Sequence, residues 1–347
     1  MLLFNNTTIE EVVIHKVGNK TSGDGYQLSK HCSPVNDEMK DILTSYFLSH
    51  FKSDEYNNFF HESGIQFNVV YGLISSIFED KNEFYDKSVA LAKHLYEQSN
   101  HPKIKGGEFY MVYFKDCQLD DTLADAIGLF KSENKDTFLK VRDNQGEIEL
   151  ESETGINTNK LDKGCLIFNT EKDNGYVVAV VDTTNKGLDA QYWTDDFLHI
   201  QPRKDEYYNT ENTLALYKNF IVKELPFAED VKVSRADQAD LLNKSVQFFK
   251  EKETFDMDSF TKEVIQEPKL IEYFHQYKDN YEEENDIELS ENFNISAPAL
   301  KKQSRRFKSV IKLDKNFHIY VHGNTDMMEQ GQDAKGKFYK VYYNEES

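Results

Sequence analysis

Arg305 and Arg306 stand side by side in a chain with only three other arginines, Arg142, Arg203 and Arg235. With Lys301, Lys302, Lys308, Lys312 and Lys315 they make residues 299–323 strongly basic, against the single acid Asp314. The chain as a whole carries a formal net charge of -20 over 347 residues. A positive field that persists in so acidic a protein is suited to an anionic partner, above all phosphate. Lys301, Lys302, Arg305, Arg306 and Lys308 are therefore the candidate nucleic-acid contact. Phe307 and Phe317 interleave with the charges, so rings as well as cations could meet the ligand. The plainer reading is a strand edge guarded by lysines against aggregation. The basic run begins before the expected strand and includes the arginine pair, which speaks for the contact.

Other constellations are weaker. Asp125 followed by Glu133-Asn134-Lys135 loosely matches the acid, acid-x-lysine arrangement of metal-dependent nucleases, where carboxylates hold the metal and lysine stabilises charge. Such a short pattern is common by chance in a chain with 61 Asp and Glu. Glu147, Glu149, Glu151 and Glu153 alternate as a divalent-metal face would. A hairpin closing over Asp143-Asn144-Gln145-Gly146 sets Arg142 opposite Glu147 and Lys140 opposite Glu149, which makes a solvated, charge-paired face the better reading. Its other face, with Val141 against Ile148 and Leu139 against Leu150, is expected to be half of a buried ribbon. His318 and His322 share a strand face but lie ~13 Å apart, too far for one metal. Neither a P-loop, a dinucleotide fingerprint, a nucleophile elbow nor a zincin motif is present. No catalytic residue, metal site or cofactor is expected.

The acidity argues against wholesale coating of nucleic acid, so any DNA contact must be local and salt-sensitive. Cys32, Cys117 and Cys165 are too scattered for a disulfide framework or a zinc pattern. The first four residues are too short for a signal peptide, and no apolar run approaches about 18 residues. A cytosolic protein without membrane contact is the expectation.

The elements that must carry these residues read as an α+β protein. A strand spans Thr8 to Val17 and a second starts at Tyr26. Ser33-Pro34 fits a helix cap followed by proline at the first helical position, with Met39, Leu43, Tyr46 and Phe47 at helical spacing. The largely apolar Phe67 to Phe78 reads as a buried helix, with a strand as the alternative, and a helix runs from about Asn82 to Gln98 with Tyr85, Val89, Ala92 and Tyr96 on one face. Strands take over from Glu108, and the unbroken apolar run Tyr176 to Val181 predicts a central strand buried on both faces. From about Asn209 the pattern is helical, with Pro226 as a stop and a capping box at Ser234 and Asp237. The acidic tract Glu282 to Asp286, and the segment on to Ala299, read as loop. Strands return near Phe307 to Leu313, Phe317 to Val321 and Phe338 to Tyr343. An α+β domain over 1–205, then a helical region with a small C-terminal antiparallel sheet over 206–347, is the expected division. Lys301 to Arg306 would be its mobile, reaching loop.

Taken in order, several stretches resemble the bacterial nucleoid-associated protein family of the NdpA/YejK type. They are Gly107-Glu-Phe-Tyr-Met-Val-Tyr-Phe114, Phe130-Lys-Ser-Glu-Asn-Lys-Asp-Thr-Phe-Leu139, Thr194-Asp-Asp-Phe-Leu-His-Ile200 and the run from Arg305 to Ile319. The resemblance implies association with the bacterial chromosome in the cytoplasmic nucleoid, with DNA as partner. It transfers no catalytic or contact residue. Two other readings stand beside it: an acidic module docking on a chromosome-associated protein, and the metal-dependent nuclease.

Overall fold

The computed structural model describes residues 2–184, 192–228, 233–307, 310–313, 315–321 and 327–345, without the side chains of residues 310 and 312. Two compact units divide the chain, Met1–Arg203 and Lys204–Ser347.

The first unit contains β1 (Leu2–Leu3), β2 (Thr8–Val17), β3 (Tyr26–Gln27), α1 (Asp37–Leu48), β4 (Asn57–Phe59), α2 (Val69–Glu79) and α3 (Phe84–Gln98). After them come β5 (Gly107–Leu119), β6 (Thr122–Ser132), β7 (Asp136–Asn144), β8 (Glu147–Gly155), β9 (Lys163–Phe168), β10 (Val177–Asp182) and, past a π-helical turn at Tyr192–Leu198, β11 (Ile200–Pro202). A nine-stranded sheet runs in the order β11-β4-β10-β9-β6-β5-β2-β3, with β1 also on β5, and every pairing is antiparallel. Both its faces are buried. Phe109, Met111 and Tyr113 of β5 cluster with Val70, Ile74 and Ile77 of α2 and Leu91 and Leu95 of α3. The alternate residues Tyr110, Val112 and Phe114 cluster with Tyr46, Phe47 and Leu48 of α1. Phe47 stacks on Phe130 of β6 with ring centroids 4.0 Å apart. As the apolar run predicts, β10 lies inside the sheet, between β9 and β4.

Three local expectations shift. Helix α1 is capped by Asn36, whose side chain accepts from the Met39 N–H, and not at Ser33-Pro34. The Ser33 N–H is tied to the Val12 carbonyl of β2, and Asp37 and Glu38 suit the first turn that follows Asn36. Helix α3 buries Phe84, Ser88, Leu91, Ala92 and Leu95, a face turned by one residue from that of Tyr85 and Val89. The β7–β8 hairpin closes over two residues, not four. Gln145 and Gly146 both take positive φ, 54° and 93°, which suits a tight hairpin turn. Arg142 therefore faces Glu149 and Lys140 faces Glu151, with Val141 opposite Leu150. The two-residue shift leaves each side chain on its expected face, but the apolar face is exposed.

The second unit opens with α4 (Glu206–Asn219), which continues through a π-helical turn, Phe220–Glu224, to a 3₁₀ turn holding Pro226. Next are α5 (Arg235–Glu251), β12 (Thr254–Asp256), α6 (Met257–Phe260), α7 (Pro268–Asn285), β13 (Asn292–Asn294) and α8 (Ala297–Ser304). The Ser234–Asp237 capping box is present at α5. Aromatic rings dominate the core, among them Tyr217, Phe220, Phe248, Phe249, Phe260 and Phe274. Two hairpins complete the unit: β14 (Val310–Leu313) with β15 (Phe317–Tyr320), and β16 (Met328–Asp333) with β17 (Gly336–Val341). Ile311 and Val321 are buried with Ala239 of α5.

The acidic tract is helix, not loop. Glu282 to Asn285 close α7, because Glu282 is held on both sides: its carboxylate pairs with Lys278 at 3.1 Å and accepts from the Leu289 N–H at 2.9 Å.

His15, in β2, sets a pH test for the first unit. It is 1 % exposed; Nδ1 accepts from the Ser29 N–H at 3.1 Å and Nε2 lies 3.0 Å from Ser88 Oγ. Burial pushes its pKa down to about 4 from 6.5. The unfolded chain takes the proton first, so this contribution to stability is complete above about pH 6.5 and is lost as pH falls toward 4, by about 3 kcal/mol in all. In urea unfolding at a series of pH values, His15→Gln should flatten that loss. An unchanged slope would remove His15 as its source.

Candidate nucleic-acid interface

Lys301 and Lys302 lie on helix α8, and Arg305 and Arg306 in the turn that closes it, so the expected loop is corrected to ordered structure. Local chemistry accounts for this. Ser296 caps the helix by accepting from the Ala299 N–H, and Pro298 occupies its first turn. Helix α8 rests on α4: the Ser296 N–H donates to Thr210 Oγ1 at 3.0 Å and Gln303 Nε2 donates to Glu211 Oε1 at 2.7 Å. Ala299 and Gln303, four apart, are buried; Lys301 and Arg305, also four apart, are exposed.

The five predicted residues do not share one fate. Lys302 Nζ is 3.0 Å from Glu211 Oε1 and sits over the Tyr207 ring at 5.4 Å, so its charge is already answered. Lys301, Arg305 and Arg306 are exposed. Lys308 lies outside the described residues. Phe307 is buried in the aromatic core and cannot offer its ring to a base, whereas Phe317 is exposed.

The fold adds two cations that sequence reasoning missed. Lys218 closes α4 and Lys223 lies in the π-helical turn after it. The pKa of Lys218 is held below the usual lysine range, by partial burial first, then by the positive charge of Arg306 and of Lys223. Arg306 is thus near enough to Lys218 for repulsion to register. Among the described residues, no carboxylate pairs with Lys218, Lys223, Lys301, Arg305 or Arg306. The only sequence signal for this is the spacing of Lys218 and Lys223 at the end of a helical pattern, far from the arginine pair.

The nuclease-like residues do not come together. Asp125 accepts from the Tyr113 hydroxyl at 2.9 Å, inside β6, while Glu133 follows its far end. Eight residues of extended chain separate them by ~26 Å. Glu133 is ion-paired to Lys131 at 3.1 Å and accepts from the Tyr192 hydroxyl at 2.5 Å; Lys135 pairs with Glu108 at 2.7 Å. Among the described residues no cluster of His, Cys, Asp or Glu is placed to hold a metal, and no helix is long and apolar enough to cross a membrane.

The most heavily buried charges also lie there. The side chains of Lys131 and Lys163 are 0 % exposed and both ammonium groups lie over the Tyr192 ring, at 5.3 and 5.0 Å. Lys163 donates to Asp182 at 2.6 Å and to Thr184 at 3.1 Å. Burial lowers the pKa of Lys131, opposed by Glu133. A cavity of about 720 Å³ borders this network, lined by Lys105, Lys135, Lys160, Glu133 and Asp162 among others. Both buried lysines have a carboxylate partner, so the network reads as a tie between β6, β9, β10 and the Tyr192 segment.

An antiparallel sheet covered on both faces, followed by a helical unit that carries a basic cluster, has a counterpart among known families. A family model described as nucleoid-associated protein YejK matches residues 13–347. The chain belongs to this family of nucleoid-associated proteins, as its resemblance to the NdpA/YejK type implied. No curated protein matches the sequence.

Removing one partner of the buried network should be far more disruptive than removing a surface lysine. Lys163→Ala would remove a fully buried ammonium from Asp182 and Thr184 and should cost about 3–5 kcal/mol in urea unfolding of the first unit. A cost below about 1 kcal/mol would show that the network is not a structural tie.

Proposed function

We propose that this nucleoid-associated protein binds DNA locally and without catalysis, through phosphate contacts from Lys301, Arg305 and Arg306 together with Lys218 and Lys223. The observation that carries the reading is that Lys301, Arg305 and Arg306 stand exposed on α8 and its closing turn with no carboxylate paired to them among the described residues, in a chain of net charge -20, and that Lys218 lies near enough to feel Arg306 and Lys223. Five such cations offer a contact of a few phosphates, and their binding releases counterions. Backbone contacts of this kind position a protein on the duplex without reading sequence. The surrounding acidity restricts the contact to this one surface and makes bulk coating of DNA unfavourable.

A binding titration with duplex DNA over a salt series tests it. Arg305→Glu with Arg306→Glu should weaken binding at least tenfold and reduce the salt slope by roughly 2, at ~0.9 for each phosphate that is no longer neutralised. Lys218→Glu should act in the same direction. Lys302→Ala should change affinity less than twofold, because that charge belongs to Glu211. Unchanged affinity and slope in the arginine double variant would overturn the proposal.

The net charge of -20 supports a second reading, in which the acidic surface docks on a basic chromosome-associated protein. Its signature is capture of that protein which survives nuclease treatment, with no binding to purified DNA.

A further inference from the structure

The β7–β8 hairpin forms a two-stranded sheet of its own. One face is charged, and both its cations are paired within it: Arg142 Nε is 3.0 Å from Glu151 and Lys140 is 2.9 Å from Glu153, while Asn144 donates to Glu149 at 3.0 Å. The other carries Leu139, Val141, Ile148 and Leu150, exposed by 72, 66, 81 and 67 %. Val141 and Leu150 are directly opposed, with Leu139 and Ile148 at the two diagonal corners beyond them. Asp143, the only acid on that face, turns its carboxylate into the hairpin turn and accepts from the Gly146 N–H at 2.9 Å.

An isolated two-stranded ribbon is marginal in water, and four neighbouring aliphatic side chains left this open call for a cover. We infer that the cover is the same face of a second copy, packed ribbon on ribbon. Three features select that occupant. The face presents no cation, and its one acid, Asp143, is turned toward the Gly146 N–H, so DNA finds nothing there to recognise. A twofold interface sets the same patch of both copies against itself, and this patch is aliphatic at its centre, Val141 with Leu150, and at its flanks, Leu139 and Ile148. At these exposures the four residues leave on the order of 400–500 Å² per copy, so a pair buries roughly 800–1,000 Å², the lower limit for a specific interface. The dimer is therefore weak and concentration-dependent. Its salt dependence is opposite in sign to that of the DNA contact. Salt screens the repulsion between two bodies of net charge -20, so association strengthens as ionic strength rises while DNA binding falls.

Sedimentation velocity over a concentration series tests this on the full chain. The wild type should show a reversible monomer–dimer equilibrium in roughly the micromolar range, tightening with salt. Val141→Lys with Ile148→Lys should weaken it at least tenfold. These side chains are exposed in the single copy, so the variant should keep its thermal unfolding midpoint. Glu149→Gln, on the opposite face, should dimerise as the wild type does. A wild type that stays monomeric up to about 200 µM, or a dimer that the double lysine variant does not weaken, would overturn the inference.

Discussion

Burial of the large sheet on both faces is the constraint from which the first unit follows. A strand such as β5, with Phe109, Met111 and Tyr113 on one side and Tyr110, Val112 and Phe114 on the other, has no face it can give to water. Helices must then lie on both sides, α2 and α3 over one and α1 over the other. Charges inside such a sheet have to bring their partners with them. Lys131 and Lys163 do so through Glu133 and Asp182, and both ammonium groups lie against one tyrosine ring. The double cover also isolates the β7–β8 ribbon, which belongs to no layer and keeps its aliphatic face open.

What the chain discloses in advance is whatever depends on neighbours in sequence. The strand Thr8–Val17 and the Ser234–Asp237 capping box are local patterns, and both stand as read. The α+β character follows equally from the order of periodicities. Expectation and structure part where two local signals compete and a distant contact decides. Ser33-Pro34 and Asn36 are both plausible caps, and the bond from the Ser33 N–H to Val12 in β2 removes the first. The acidic tract has the composition of a solvated loop, but Lys278 and the Leu289 N–H engage Glu282 and hold it in helix. The half-buried ribbon fails for another reason: alternation shows that one face is apolar, not that anything within the chain covers it.

The basic segment is the most visible feature of the sequence, yet its organisation is the least legible. A run of cations gives no sign of which are already neutralised. Glu211, on another helix, takes Lys302 out of the set, and Phe307 goes to the core. Lys218 comes near Arg306 only through the fold, and Lys223, in the turn after α4, comes near Lys218. The helical form of α8 matters too. Anchored through Ala299 and Gln303, it fixes the backbone beneath Lys301 while the exposed side chain keeps its own freedom.

The ribbon's alternating glutamates have a consequence for how its register is held. Glu147, Glu149, Glu151 and Glu153 repeat at the period of the strand, so a slip of two residues offers Lys140 and Arg142 another carboxylate and leaves every side chain on its own face. As far as charge is concerned, the even registers are nearly degenerate. Ion pairing therefore cannot tell the observed alignment from its neighbours, and the discrimination falls to backbone geometry at Gln145 and Gly146, where two consecutive residues accept positive φ. A hairpin that looks stitched together by salt bridges is in fact indexed by its turn.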